Sequence, residues 1–310
     1  MEYSAVSTMW ILVGTVLIFF MQAGFAMLET GMTRVKNAGN IAMKNLIDYC
    51  IGAIAFWLVG FGIMYGGSGL VLGKIKGIAV ESVYGNGMIP EGVPFWAFLI
   101  FQTVFAATAA TIVSGAMAAR TKFAAYCVYS LMISLVIYPI SGHWIWGGGW
   151  LSKLGFHDLA GSTVVHMVGG AAAFAGAWML GPRIGKYSRS GKAKKIPGHS
   201  MPLSVLGIFI LWFGWFGFNG SSVIPFSDNT TELVGKVFCN TNLSAAAGAV
   251  TAMCISWIWK KKPDIAMTLN GALAGLVSIT AGADVISTPL SVVVGVIAGA
   301  IVVGGMNLIE

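Results

Sequence analysis

The sequence predicts an all-α, polytopic membrane protein, and three observations carry that reading. Of 310 residues, 57% are hydrophobic and only 9% are charged, against about 25% charged in soluble domains. Apolar runs recur along the whole chain at the ~20-residue length that a bilayer core demands. The basic residues between those runs alternate in density. A mean hydropathy of +0.82 and 42 glycines agree, because Gly is more frequent in transmembrane helices than in soluble ones.

Nine runs qualify as spans, at 7–28, 46–66, 94–119, 123–140, 161–181, 203–220, 234–259, 264–281 and 286–308. Glu2 is the only charge that precedes the first. With no basic n-region and too long an apolar stretch for an h-region, it reads as a retained span and not a signal peptide. The fourth, sixth and eighth are shorter than average. The seventh contains CNTNLS (239–244), so part of it is expected to be buried in protein or to face water. All nine exceed the ~10 alternating residues of an outer-membrane strand. Small residues recur at helix spacing in GGAAAFAGA (169–177) and GALAGL (271–276), a pattern that suits close helix packing in lipid. The longest soluble stretches are the loops 67–93 and 182–202, too short for a separate domain.

Charge tests the span assignment. Alternate loops collect 14 of the 18 basic residues: Arg34, Lys36 and Lys44; Arg120 and Lys122; six between Arg183 and Lys195; and Lys260 to Lys262. The other set holds Lys74, Lys76, Lys153 and Lys236. That asymmetry is the positive-inside pattern. It places the N-terminus outside and the C-terminus of this chain in the cytoplasm. The pI of about 9.3 therefore follows from topology, and no nucleic-acid partner is implied.

Polar groups at membrane depth are functional candidates by default. His166 lies in mid-span within GSTVVHMVGG (161–170). Two readings stay open for it: a buried ring hydrogen-bonded to a neighbouring helix, or a pore residue. A neutral imidazole offers one donor and one acceptor and so lines a path for a small polar molecule without trapping ions. Asp158, near the outer mouth, is open to a capping role for the following helix or to a direct role with substrate. An intramembrane enzyme would need a second catalytic group beside His166. Asp158, eight residues away or ~12 Å along a helix, is too far for a hydrogen bond. His143 sits at the outer end of the fourth span. His157 and His199 fall in loops and read as solvated. Four scattered cysteines (Cys50, Cys127, Cys239 and Cys254) form no zinc or disulfide pattern and read as packing residues. No metal or cofactor is implied.

Aromatic residues form a second cluster: FQTVF (101–105), HWIWGGGW (143–150) and ILWFGWFGFNGSS (210–222). One reading is an interfacial belt. The other is a cation site, because ring faces attract a monovalent cation and Trp does so best.

At these residues the chain resembles the ammonium transporter family (Amt/Mep/Rh). The resemblance rests on ETGMTRVKNAGNIAMKN (29–45), FQTVFAATAATIVSGAMA (101–118), HWIWGGGWL (143–151), DLAGSTVVHMVGG (158–170), LWFGWFGFNGSS (211–222) and TLNGALAGLVSITAG (268–282), in that order. It implies an ammonium-transporter-like helix bundle built as an inverted repeat, of whose eleven spans nine are present. Residues 1–181 would be the first half-repeat of five helices and 203–310 an incomplete second of four. It implies an outer recruitment site at Phe105, Trp146 and Ser222 with Asp158 behind it. It also implies a gate of Phe105 and Phe218 and a first pore histidine at His166. Ammonium or its analogue methylammonium would be captured and deprotonated, and ammonia would pass. A homotrimer in the plasma membrane and a PII-type regulatory partner on the cytoplasmic side are further implications. The ninth run ends in GGMNLIE (304–310), with no counterpart of the family's second pore histidine. The chain is thus expected to be part of a longer protein and not to form a sealed pore alone. The competing class is an ammonium-sensing membrane module.

Overall fold

A computed structural model describes residues 2–67, 69–85 and 88–309. Among them the regular structure is helical, with one isolated antiparallel bridge between Tyr187 and Ala193 in a loop. The spans are α1 (Ala5–Met32), α2 (Val35–Tyr65), α3 (Phe95–Met117), α4 (Phe123–Lys153, interrupted at 146–149), α5 (Ser162–Leu180), α6 (Met201–Gly220), α7 (Asp228–Lys260), α8 (Ile265–Ile279) and α9 (Thr288–Ile309). Eight are long and apolar enough to cross a bilayer. The exception is α8, whose 15 residues rise only ~22 Å against a ~30 Å core.

Helix ends depart from the hydropathy windows for a physical reason. Apolar windows stop where charge begins, but α1 continues through Glu29 to Met32, and α2 is already underway before Lys44. Lys44 is therefore not a loop charge. It is fully buried in α2, with Nζ donating to Thr121 O at 3.4 Å and lying 5.1 Å from the Tyr126 ring centre. The cysteines correct another expectation. Cys50, Cys239 and Cys254 stand exposed on outer helix surfaces, outside the packed core, and all four are free. His157 is also not simply solvated, since its Nε2 lies 3.0 Å from Asp284 Oδ1.

Two close-packed units frame the centre. Helix α1 lies along α6, where Gly24 faces the Gly207 backbone; α7 lies along α8 and α9, where Gly248 faces the backbone of Gly271 and a Cβ on either residue would collide with the other's chain. With no hydrophobic drive between helices in lipid, such backbone approach is how van der Waals contact accumulates. The polar start of the seventh run is buried in protein, one of its two expected settings. Asn240 Nδ2 donates to Ala283 O and Ile286 O, Ser244 Oγ donates to Gly275 O, and Thr241 accepts from Asn219 Nδ2.

Helix α3 is the most enclosed span, with nearly every residue from Phe95 to Ser114 buried. It carries the centre of the bundle. Three π-helical turns interrupt the surrounding spans, at Phe56–Gly60, Ile133–Ile137 and Ser162–Met167. Such turns concentrate at functional positions, and the third contains His166.

Candidate functional site

Helix α5 starts at a built cap. Asp158 Oδ1 accepts from Gly161 N (2.7 Å) and Ser162 N (3.0 Å), and Oδ2 accepts from Thr163 N (2.8 Å) and Val164 N (3.0 Å). These are the four orphan donors of a helix N-terminus, all satisfied by one side chain. Gly161 makes the turn at φ 110°, a left-handed conformation costly for residues with a Cβ. Burial pushes the Asp158 carboxyl above its ordinary range while the four N–H groups pull it back. Of its two open roles, the geometry supports the cap: both oxygens are committed to backbone, and the side chain is only 5% exposed.

The same loop fixes the outer aromatic residue. Trp146 Nε1 donates to Asp158 O at 2.7 Å. The Trp146 ring stands edge-on to Phe105, with centres 5.7 Å apart and planes at 85°. Phe105 in turn covers Phe218 at 4.3 Å. Both phenylalanines are at most 1% exposed. Ser222, half-buried at the end of α6, donates its hydroxyl to Phe218 O at 2.8 Å. With the proton committed inward, its lone pairs remain for a cation. Phe105, Trp146, Phe218 and Ser222 thus form one continuous chain of contacts. Of the four, Trp146 and Ser222 are partly exposed and the two phenylalanines are buried.

Below the rings lies His166, 7% exposed. It stacks on Trp215 with centres 4.9 Å apart and planes at 19°, and it meets Phe218 at 5.4 Å. Its Nε2 has no hydrogen-bond partner among the described residues, so the ring is not held by a neighbouring helix through that atom. Trp215 was legible only as one more aromatic residue of ILWFGWFGFNGSS. It is in fact a 1% exposed backing plate for the histidine, oriented by Nε1 donating to Thr280 Oγ1 at 2.8 Å. His143 is buried elsewhere, with Nδ1 2.7 Å from Met64 O and Nε2 2.8 Å from Gly69 O.

A cavity of about 660 Å³ opens from His166 and Trp215 toward the loops that carry the excess of Lys and Arg. Its wall includes Phe25, Leu28, Glu29 and Met32, which share one face of α1 at helix spacing, and its mouth includes Arg34, Lys36 and Arg183. Beside it lies a polar network with little local signature. Glu29 Oε2 accepts from Asn45 Nδ2 (2.9 Å) and Ser114 Oγ (2.7 Å). Asp48 Oδ2 accepts from Tyr126 Oη (2.5 Å), and Thr111 Oγ1 lies 3.3 Å from Asp48 Oδ1 and 2.9 Å from Gln22 Oε1. The available signal was Asn45 and Asp48 at i, i+3 with Lys44 at i, i+4 to Asp48, which puts polar groups on one helical face.

The Ammonium Transporter Family model matches residues 9–310. The chain belongs to the ammonium transporter family. Among its relatives, ammonium transporter Amt2 of Archaeoglobus fulgidus is 48% identical over 315 residues, 98% of this chain and 65% of its own length. Amt2 of Haloferax mediterranei is 44% identical over 303 residues, 95% of this chain and 66% of its own length. The chain therefore spans about two thirds of these ammonium transporters. Among solved structures, one titled as a sensor Amt protein superposes with a TM-score of 0.90 at 40% identity, covering 98% of this chain and 75% of that one. Candida albicans Mep2 gives 0.90 at 31% identity, covering 99% and 67%. The ammonium transporter fold expected from the sequence motifs is thus the fold observed.

Proposed function

We propose that this chain moves ammonium across a membrane by capturing the cation at Phe105, Trp146 and Ser222 and passing ammonia beyond the Phe105–Phe218 stack to His166. One observation carries the reading. The two phenylalanines, in tilted contact, lie between the partly exposed Trp146 and Ser222 and a buried imidazole whose Nε2 has no hydrogen-bond partner, and the imidazole lines a cavity leading away on the other side.

The physics favours loss of the proton at the stack. A charge at the bilayer centre costs at least ~2.5–3.5 kcal/mol on insertion scales, and two buried phenyl rings offer a cation no hydration. Trp and Phe faces and the Ser222 oxygen replace part of the hydration shell outside. K⁺ has no proton to lose, so discrimination is chemical as well as steric. Asp158 enters this scheme as the residue that holds Trp146 and starts α5, not as a ligand. Binding and passage, without catalysis, describe the activity.

In the same reading the basic loops are cytoplasmic, the N-terminus is outside and the membrane is the plasma membrane. Residues 1–181 and 203–310 form the two half-repeats. The assembly is a homotrimer, and a PII-type regulator docks on the basic side. The test is ammonium-evoked current in proteoliposomes. Trp146→Leu should raise the half-saturating ammonium concentration, and His166→Ala should change proton coupling while leaving outer capture intact. Parental behaviour in both variants would refute the assignment.

A second reading has its own support, the 40% identity to a protein titled as a sensor. In that case the same site binds ammonium, and binding without flux is the distinguishing result.

A further inference from the structure

The cavity on the basic side presents a contradiction for a cation. Its mouth carries Arg34, Lys36 and Arg183, and one carboxylate, Glu29, is the only acidic group lining it among the described residues. That carboxylate is unevenly satisfied. Oε2 takes hydrogen bonds from Asn45 and Ser114. Oε1 meets no side-chain donor; its polar neighbour is the Gly115 backbone, and the Lys44 charge acts on the carboxylate without an ion-pair contact. Among the described residues, no Lys or Arg nitrogen lies within ion-pair distance of it. Lys44 points its Nζ instead at Thr121 O, and Asp48 is occupied by Tyr126 and Thr111.

An unpaired buried carboxylate is expensive, and proteins retain one in a membrane span chiefly where it serves a path. A second polar residue lines the same space: His166 contributes to the cavity wall from α5, and its buried Nε2 has no hydrogen-bond partner. We propose that Glu29 is an inner binding site for a small monovalent cation of the ammonium class. Oε1 accepts one of its N–H groups, and the carboxylate supplies the counter-charge in a vestibule otherwise ringed by positive side chains. Asn45 and Ser114 hold the carboxylate in place, so that α1, α2 and α3 present it as a fixed acceptor. The inference rests on the transport reading above and deepens it on the opposite side of the phenylalanine stack.

The rival explanation is that Glu29 merely ties three helices together. Currents in proteoliposomes of uniform orientation separate the two, with ammonium chloride added either on the Glu29 side or on the Trp146 side. Glu29→Gln keeps an oxygen for Asn45 and Ser114 but removes the charge. Ser114→Ala keeps the charge and removes a tie. The expected result is that Glu29→Gln raises the half-saturating concentration about tenfold from the Glu29 side, as loss of a charge-assisted hydrogen bond would. Values from the Trp146 side should stay unchanged, and Ser114→Ala, which keeps the charge and the Asn45 bond, should shift the Glu29-side value clearly less than Glu29→Gln does. Should Glu29→Gln fail to fold, Glu29→Asp substitutes for it, because it keeps the charge but draws the carboxylate back from the cavity wall by one methylene and should likewise raise the value from the Glu29 side. Parental values on both sides in these variants, or a Ser114→Ala shift equal to that of Glu29→Gln, would overturn the proposal while leaving the transport reading in place. A parent protein carrying no ammonium current would overturn both.

Discussion

Asp158 and Glu29 are two carboxylates at opposite ends of the proposed route, and the structure treats them differently. Both oxygens of Asp158 are saturated by four backbone N–H groups. Glu29 lines a cavity; two side chains hold its Oε2, while Oε1 takes no side-chain hydrogen bond and has only the Gly115 backbone beside it. A carboxylate whose acceptor capacity is spent on backbone has no lone pairs left for a ligand; its work is to fix a loop. A carboxylate with one oxygen spare is pre-positioned and still able to bind. Proximity to a pore is therefore a poor guide to role, and the count of satisfied lone pairs is a better one.

The largest expected effect tests the saturated member. Asp158→Asn keeps one acceptor oxygen but turns an amide donor toward two of the four N–H groups. Each buried donor left unpaired costs about 1–3 kcal/mol, so a loss of roughly 2–6 kcal/mol is expected as a lowered thermal midpoint in detergent. If Glu29→Gln, whose oxygen keeps both of its bonds, were equally destabilising, the distinction between the two carboxylates would collapse.

Next in size is Thr280→Val, which asks whether a saturated neutral group behaves as Asp158 does. It strands Trp215 Nε1, whose acceptor is Thr280 Oγ1. A loss of about 1–3 kcal/mol is expected, together with a change in proton coupling through the ring stacked on His166. An unaltered midpoint would mean that Trp215 is held by packing alone.

Ser114→Ala should be milder, about 1 kcal/mol, because Asn45 still holds Glu29. A drop as large as that of Asp158→Asn would show that Glu29 depends on saturation after all.

The smallest effect concerns a third carboxylate, outside the membrane. Asp264 caps α8 through Met267 N at 3.3 Å and pairs with Lys260 at 3.1 Å. Burial pushes its carboxyl up, but Lys260, the Met267 N–H group and the charge of Lys195 outweigh that and hold it below the ordinary range. A depressed folded-state pKa contributes stability that is present above the unfolded value, about 3.9, and is lost as pH falls through the folded value. The thermal midpoint of the parent should therefore fall between pH 5 and pH 3 by slightly more than that of Asp264→Asn. Identical pH profiles would remove Asp264 from the account.

What the sequence made legible follows the same divide. The spans, Phe105, Trp146, Phe218 and His166 could be located because apolar runs and aromatic words are local patterns, and the alternation of Lys and Arg depends on loops alone. Asp158 stayed ambiguous, since a cap is defined by backbone that folds back in an irregular loop with a positive-φ glycine. Glu29 and Lys44 were hidden by an assumption built into hydropathy: charge marks the end of a span. Here α1 and α2 carry their charges inward and satisfy them against α3 and α4, a tertiary arrangement with no local signature. Trp215 was visible as a residue and invisible as a role, because nothing in GWFGFN says which ring meets the histidine.

The π turn at Ser162–Met167 has a consequence for which changes this segment tolerates. It starts at the Asp158 cap and contains the histidine stacked on Trp215. Each residue in a helix turns the chain by about 100°. Deleting one residue from the turn, Val164 for instance, would let the segment relax to regular α-helix and swing either the cap or the imidazole by that angle. The two ends could not both keep their partners. The stretch from Asp158 to His166 is in effect a fixed-length ruler: it accepts exchange of side chains far more readily than any change in its count of residues.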